Sequence, residues 1–161
     1  MIAESGVAAL SMRDLSRRAG VSHAAPTHHF KDKAGLLTAL AAEGFDELSA
    51  AVEAADSFLD AGVAYVHFAV THPAHFAVMF RPDLYHADDP VLVAARERSG
   101  AALYAGAGEL AGEPGGDHRE TGLAGWSIAH GFATLWLSGA MPDLGGPPEE
   151  AARAILRRLN P

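Results

Sequence analysis

The chain is predicted to be all-α: an N-terminal helix-turn-helix domain of three helices, followed by a helical bundle. Apolar residues recur at helical spacing from end to end, and no stretch alternates apolar with polar residues long enough to form a strand. Cap and turn residues punctuate those periodic segments at intervals that suit helices. With 161 residues, 49% of them hydrophobic and 20% charged, the chain is long enough for one compact domain or two small ones, and it is globular rather than disordered.

Ser11 is placed to cap a short helix, MRDLSRRA, with Met12, Leu15 and Ala19 on one face. Gly20-Val21 makes a turn, and Ser22 caps a second short helix running to about His29. Pro26 lies early enough in that helix to be tolerated. Asp32 caps a third helix that buries Leu36, Leu37, Leu40, Phe45 and Leu48. In FLDAGVAYVHFAVTHP, the stripe Leu59, Val63, Val66 and Val70 has Phe58, Tyr65 and Phe68 beside it, and Pro73 ends the helix. A short segment, AHFAVMF, closes at Arg81-Pro82. Asp88 or Asp89 caps the next helix, with Pro90 near its first position and its end near Leu110. Gly112–Asp117 reads as a loop, 119–140 as a long helix, and Gly145–Pro148 as a second loop. The final helix carries Glu149 and Glu150 at its start and Arg157 and Arg158 at its end, matching the helix dipole, with Ala151, Ile155 and Leu159 as its apolar stripe.

The absence of cysteine excludes disulfides, thiol catalysis, zinc fingers and iron–sulfur clusters. Glu4 stands where a secretory signal carries basic residues, so a cytoplasmic location is expected. Residues 121–142 contain no charged side chain, but His130, two serines, Thr134 and four glycines fit a buried helix better than a membrane span. The net charge of −8 is unevenly distributed. Residues 11–33 hold five basic and two acidic side chains, a local charge of +3, against −11 for the rest, and His23, His28 and His29 fall in the same window.

Two short helices joined through A-G-V-S and followed by a third form a helix-turn-helix pattern. The second of them, SHAAPTHHF, carries small and polar residues of the kind that reach base edges, and its basic flanks attract phosphates. An ordinary helical hairpin with solvated histidines has the same spacing. The whole run, SMRDLSRRAGVSHAAPTHHFKDKAGLLTAL, resembles the DNA-binding segment of TetR-type transcriptional regulators, a resemblance that covers residues 6–40. Further on, AYVHFAVTHPAHFAVMFRP and WSIAHGF are similar to one group of TetR-type ligand-binding domains that carries a Trp–His–Gly pattern.

The resemblance implies a homodimeric repressor with a DNA-binding domain over 1–46 and an effector-binding and dimerisation domain over 47–161. It puts Ser11 and Arg13 near phosphates, and Ser22, His23, Ala24, Thr27, His28 and His29 in the major groove or against its walls. Lys33 is expected to hold a phosphate at the start of the next helix. Thr27 departs from the pattern, where an aromatic residue is common. The family has a full helix before the segment matching Gly6-Val7, whereas Met1–Ser5 alone precede it here. The expectation is therefore a start codon placed inside that helix, or a trimmed chain. The alternative is a helical ligand-binding dimer that does not bind DNA because its first helix is missing.

In the long helix, Leu123, Trp126, His130, Ala133 and Leu137 share one face, and Ala129, Phe132, Trp136 and Ala140 another. A helix apolar on both sides must be covered on both. By the resemblance, one face lines a ligand cavity and the other meets a second subunit together with the last helix. Trp126 and His130, four residues apart, would set a flat apolar wall beside one polar group, a suitable lining for a small, mostly apolar effector. A core histidine satisfied by a carbonyl explains His130 equally well. Tyr65, Phe68, Phe76, Met79, Phe80 and Tyr104 are the further ligand-binding candidates, each also an ordinary core residue type. His67, His72 and His75 lack partners at metal-ligand spacing, so neither metal nor cofactor is expected. Gly106-Ala107-Gly108 follows no strand, and no catalytic motif such as G-x-S-x-G or H-E-x-x-H occurs, so no enzyme activity is expected.

Overall fold

The computed structural model describes residue 2 and residues 6–22, 24–108 and 118–159. Among these there is no β-strand. The helices are α1 (Met12–Ala19), α2 (Ala24–Phe30), α3 (Lys33–Glu53), α4 (Phe58–Thr71), α5 (Pro73–Met79), α6 (Pro90–Ala105), α7 (Arg119–Leu137) and α8 (Pro148–Leu156), with 3-10 turns at Pro82–Leu84 and Arg157–Leu159. The expected loop over Gly112–Asp117 and the segment before Gly6 lie outside the described residues, apart from Ile2.

The chain divides into two compact units. The first comprises residues 1–45 and 73–96, the second residues 46–72 and 97–161, so α3 and α6 each contribute residues to both.

In the first unit, short-range chemistry fixes the helix-turn-helix. The Ser11 hydroxyl caps α1 by accepting the Asp14 N–H at 3.4 Å. Gly20 takes a left-handed φ of 67°, letting its N–H reach Arg17 O while Val21 N–H reaches Ser16 O, the paired bonds of a Schellman stop. Ser16 is wholly buried and returns its own hydroxyl to Met12 O at 2.9 Å. Asp32 caps α3 through the Gly35 N–H at 2.7 Å. Gly35 is required there, because a Cβ would lie 2.0 Å from the Phe30 carbonyl oxygen. Leu10, Leu37, Ala41 and Phe45 form the core beneath. Phe76, Phe80 and Phe45 follow as an edge-to-face run, with centroids 5.4 and 5.7 Å apart. The Tyr85 hydroxyl closes this unit by donating to Met79 O at 2.8 Å.

The second unit is built on α4, α7 and α8. Ser57, a cap not anticipated above, accepts the Asp60 N–H at 3.1 Å to start α4. In the first unit, Asp89 starts α6 by accepting the N–H groups of Val91 and Leu92. Two of the expected apolar stripes are displaced. On α4 the buried residues are Tyr65, Val66, Phe68 and Ala69, so of the predicted stripe Val66 alone is buried. On α8, Ala152 and Leu156 are buried, while Ile155 is exposed. Leu156 is drawn in by Gly62, whose missing side chain leaves a seat for it: a Cβ there would meet Leu156 Cδ1 at 2.8 Å. On α7 the buried line runs Gly122, Gly125, Ala129, Phe132, Ala133, cutting across both predicted faces. The helix ends at Leu137, short of the expected 140, before Gly139 at a φ of 70°.

Candidate functional site

The helix-turn-helix sorts its side chains sharply. Arg13, Ser22, Ala24, Thr27, His28 and His29 are exposed, and Ser11 and Lys33 are half-buried. Pro26, in the middle of the same sequence stretch, is buried. His23 lies outside the described residues. The outward face of α2 is thus made of small and imidazole side chains, which let a helix backbone approach a groove floor and can donate or accept there. Arg13 and Arg17 extend from α1, the latter paired with Asp14 at 2.9 Å.

Lys33 has a second use that sequence spacing did not reveal. Its ammonium donates to Val7 O at 2.8 Å and Ala8 O at 3.4 Å, bracing the turn before α1 and using two of its three protons. The Asp32 carboxyl beside it is held below the usual carboxylate range by the Gly35 N–H first, and then by His86. His86 lies 3.6 Å from that carboxylate and donates its backbone N–H to the Thr38 hydroxyl at 3.0 Å. The start of α3 is thereby tied to the loop before α6 inside the first unit.

In the second unit, Tyr65, Trp126 and His130 come together. Trp126 Nε1–H, a group that can only donate, points at the Tyr65 oxygen across 3.2 Å. The Tyr65 hydroxyl also hydrogen-bonds His130 Nδ1 across 2.7 Å, as donor or acceptor according to the imidazole tautomer. Burial pushes the Tyr65 phenol well above its ordinary range and the His130 imidazole below its own, so all three groups are neutral near pH 7. Tyr65 and Trp126 also wall an apolar void of about 20 Å³, together with Phe58, Leu103, Gly125 and Leu156.

The other ligand-binding candidates are dispersed. Phe68 stacks on His72 with centroids 4.9 Å apart. Tyr104 packs over Gly122, where a Cβ would lie 2.5 Å from its ring. Phe76, Met79 and Phe80 belong to the first unit. His67, His72 and His75 each meet a different carboxylate, Glu149 at 2.7 Å, Glu47 at 3.6 Å and Glu43 at 3.4 Å. Among the described residues no cluster of three or more His, Asp or Glu has the arrangement of a metal site. No described helix is long and apolar enough to cross a membrane.

Comparison with known proteins bears on both units. Residues 1–40 match the family model described as bacterial regulatory proteins, tetR family, and residues 58–159 match the model of a tetracyclin repressor-like C-terminal domain. A protein of unknown function from Rhodococcus sp. RHA1 has a similar structure, with a TM-score of 0.78 and 35% identity over 98% of this chain and 87% of that one. The TetR family transcriptional regulator PfmR from Thermus thermophilus is similar at a TM-score of 0.69 and 23% identity, over 99% of this chain and 92% of its own. No curated protein matches significantly. The two family models, together spanning most of the sequence, show that this chain belongs to the TetR family of bacterial transcriptional regulators.

Proposed function

We propose that the protein is a ligand-responsive repressor that binds a palindromic operator as a homodimer and is released by a small, mostly apolar effector. The observation that carries the DNA-binding part is the exposed face of α2, where Ala24, Thr27, His28 and His29 point outward while Pro26 is held in the core. Two such helices in a dimer fit successive major grooves about 34 Å apart. Arg13 and Ser11 lie at the start of α1 to meet phosphates, and Lys33 keeps one proton for another.

The dimer contact of this reading runs through α7 and α8. Leu123, Leu135 and Leu137 on α7 and Ile155 on α8 are all more than a third exposed, an unusual density of large apolar side chains for the surface of two helices. The effector site is placed at the Tyr65–Trp126–His130 cluster, which has the apolar wall and few polar groups that such sites combine. The effector acts by binding more tightly to a dimer state whose recognition helices no longer match the operator spacing.

The test is fluorescence anisotropy of labelled DNA flanking the gene itself, at two salt concentrations, against scrambled duplex. Specific binding with a steep salt slope is expected. Equal affinity for scrambled DNA at both salt concentrations would remove the operator claim. Sedimentation of a Leu135→Glu variant as a dimer would remove the proposed interface.

A further inference from the structure

Two helices of the first unit end in the same backbone turn but on different residues. Gly20 closes α1 at a φ of 67°, and Lys31 closes α2 at a φ of 68°. Among the described residues Lys31 is the one non-glycine position with a positive φ. At that φ a Cβ crowds the carbonyl that follows, so glycine is the usual residue and lysine is strained. The surrounding backbone holds it there. The Lys31 N–H is bonded to Thr27 O and the Asp32 N–H to Phe30 O, each at 2.9 Å, and the Asp32 carboxylate at once caps α3 through Gly35. The chain turns from α2 into α3 on a lysine, where a glycine would turn without strain.

Contacts within the protein do not account for this. Among the described residues no ion pair or side-chain hydrogen bond holds the Lys31 ammonium, and the neighbouring Asp32 carboxylate is engaged by the Gly35 N–H and His86. The side chain is exposed. Its place on α2 is specific, however. Because its N–H keeps the helical bond to Thr27 O, the Lys31 Cα continues the exposed row of Ala24, Thr27 and His28 at helical spacing. Phosphates border the major groove on both sides, so a helix lying in it with that row inward brings its end to the backbone. Lys33, two residues on, already gives two of its three protons to Val7 and Ala8, whereas Lys31 carries its charge on a flexible four-carbon stem with all three to offer. We propose that Lys31 binds a backbone phosphate at the edge of the groove entered by α2, and that the strain at its φ is tolerated for the sake of this contact. This deepens the DNA-binding reading above and rests on it. A cation also suits the C-terminal end of a helix, so the test must separate contact with DNA from service to α2.

The experiment compares the full chain as wild type, Lys31→Gly, Lys31→Gln and Lys31→Arg. Fluorescence anisotropy is read over a series of salt concentrations, on labelled duplex from the DNA flanking the gene and on a scrambled duplex. Melting temperature is measured without DNA. Lys31→Gly and Lys31→Gln should lower the salt slope by about 0.9 for each subunit bound, on both duplexes alike, because a phosphate contact carries no sequence information. Lys31→Arg should keep the wild-type slope, since a guanidinium also binds phosphate. Lys31→Gly should melt no lower than wild type and up to about 4 °C higher, its strain being gone. Lys31→Gln keeps the strain and should not melt higher. Unchanged slopes in the glycine and glutamine variants would overturn the proposal. A slope lost in Lys31→Arg as well would trace the effect to a misplaced α2 rather than to the charge, and would also overturn it. A lower melting temperature for Lys31→Gly would show that the lysine serves the helix end, and would overturn the claim that its strain is tolerated for DNA. A wild type that binds neither duplex would remove the DNA-binding reading together with this contact. Wild-type binding with unchanged variant slopes removes the contact alone.

Discussion

Replacing Tyr65 by phenylalanine removes one oxygen and, with it, two hydrogen bonds between α4 and α7. The ring stays, so packing is nearly conserved, and the cost comes from the groups that lose the hydroxyl. Trp126 Nε1–H loses an acceptor at 3.2 Å and His130 Nδ1 its partner at 2.7 Å. A buried polar group that loses its partner costs about 1–3 kcal/mol. Both partners are half-buried and recover some of this from water, so a net loss of about 2 kcal/mol is expected. For a chain of this length each kcal/mol moves the melting temperature by about 2–4 °C, which gives a fall of about 4–8 °C. Urea denaturation followed by tryptophan fluorescence measures it, and the double variant Tyr65→Phe/His130→Gln supplies the coupling. A loss within about 0.5 kcal/mol of zero, the range of an inconsequential surface change, would refute the argument that the Tyr65 hydroxyl holds α4 to α7.

Three further outcomes are expected. Burial holds the His130 imidazole below its ordinary 6.5, so the unfolded chain takes up that proton first as pH falls. His130 therefore lowers stability as pH drops below 6.5, with the effect levelling off below the folded-state value, and wild type should lose more stability than His130→Gln between about pH 7 and 5.5. Parallel pH profiles for the two would contradict it. Gly35→Ala sets a methyl 2.0 Å from the Phe30 carbonyl, so α2 must shift against α3. Operator binding should then fall by more than about tenfold, from misplacement of the recognition helix alone, and unchanged anisotropy would count against that geometry. Lys33→Ala should lower the melting temperature without DNA present, because the Val7 and Ala8 carbonyls lose their donor. It should also reduce the salt slope of DNA binding by about one while leaving sequence preference intact; an altered preference would mean that Lys33 reads bases.

What could be read from the sequence was what a few neighbouring residues decide. Ser11, Gly20, Asp32 and Asp89 act on atoms within five residues of themselves, and each does what its type and spacing imply. Facing was harder. On α8 the choice between Ala151/Ile155 and Ala152/Leu156 is a rotation of about 100°, and hydrophobicity favours neither strongly. The deciding feature is the missing side chain at Gly62, some ninety positions earlier. The functional cluster shows the same division. Trp126 and His130 are visible as neighbours because they are four apart on one helix, but the Tyr65 hydroxyl that joins them comes from 61 and 65 positions away. The pairs His67–Glu149 and His86–Asp32 were hidden for the same reason.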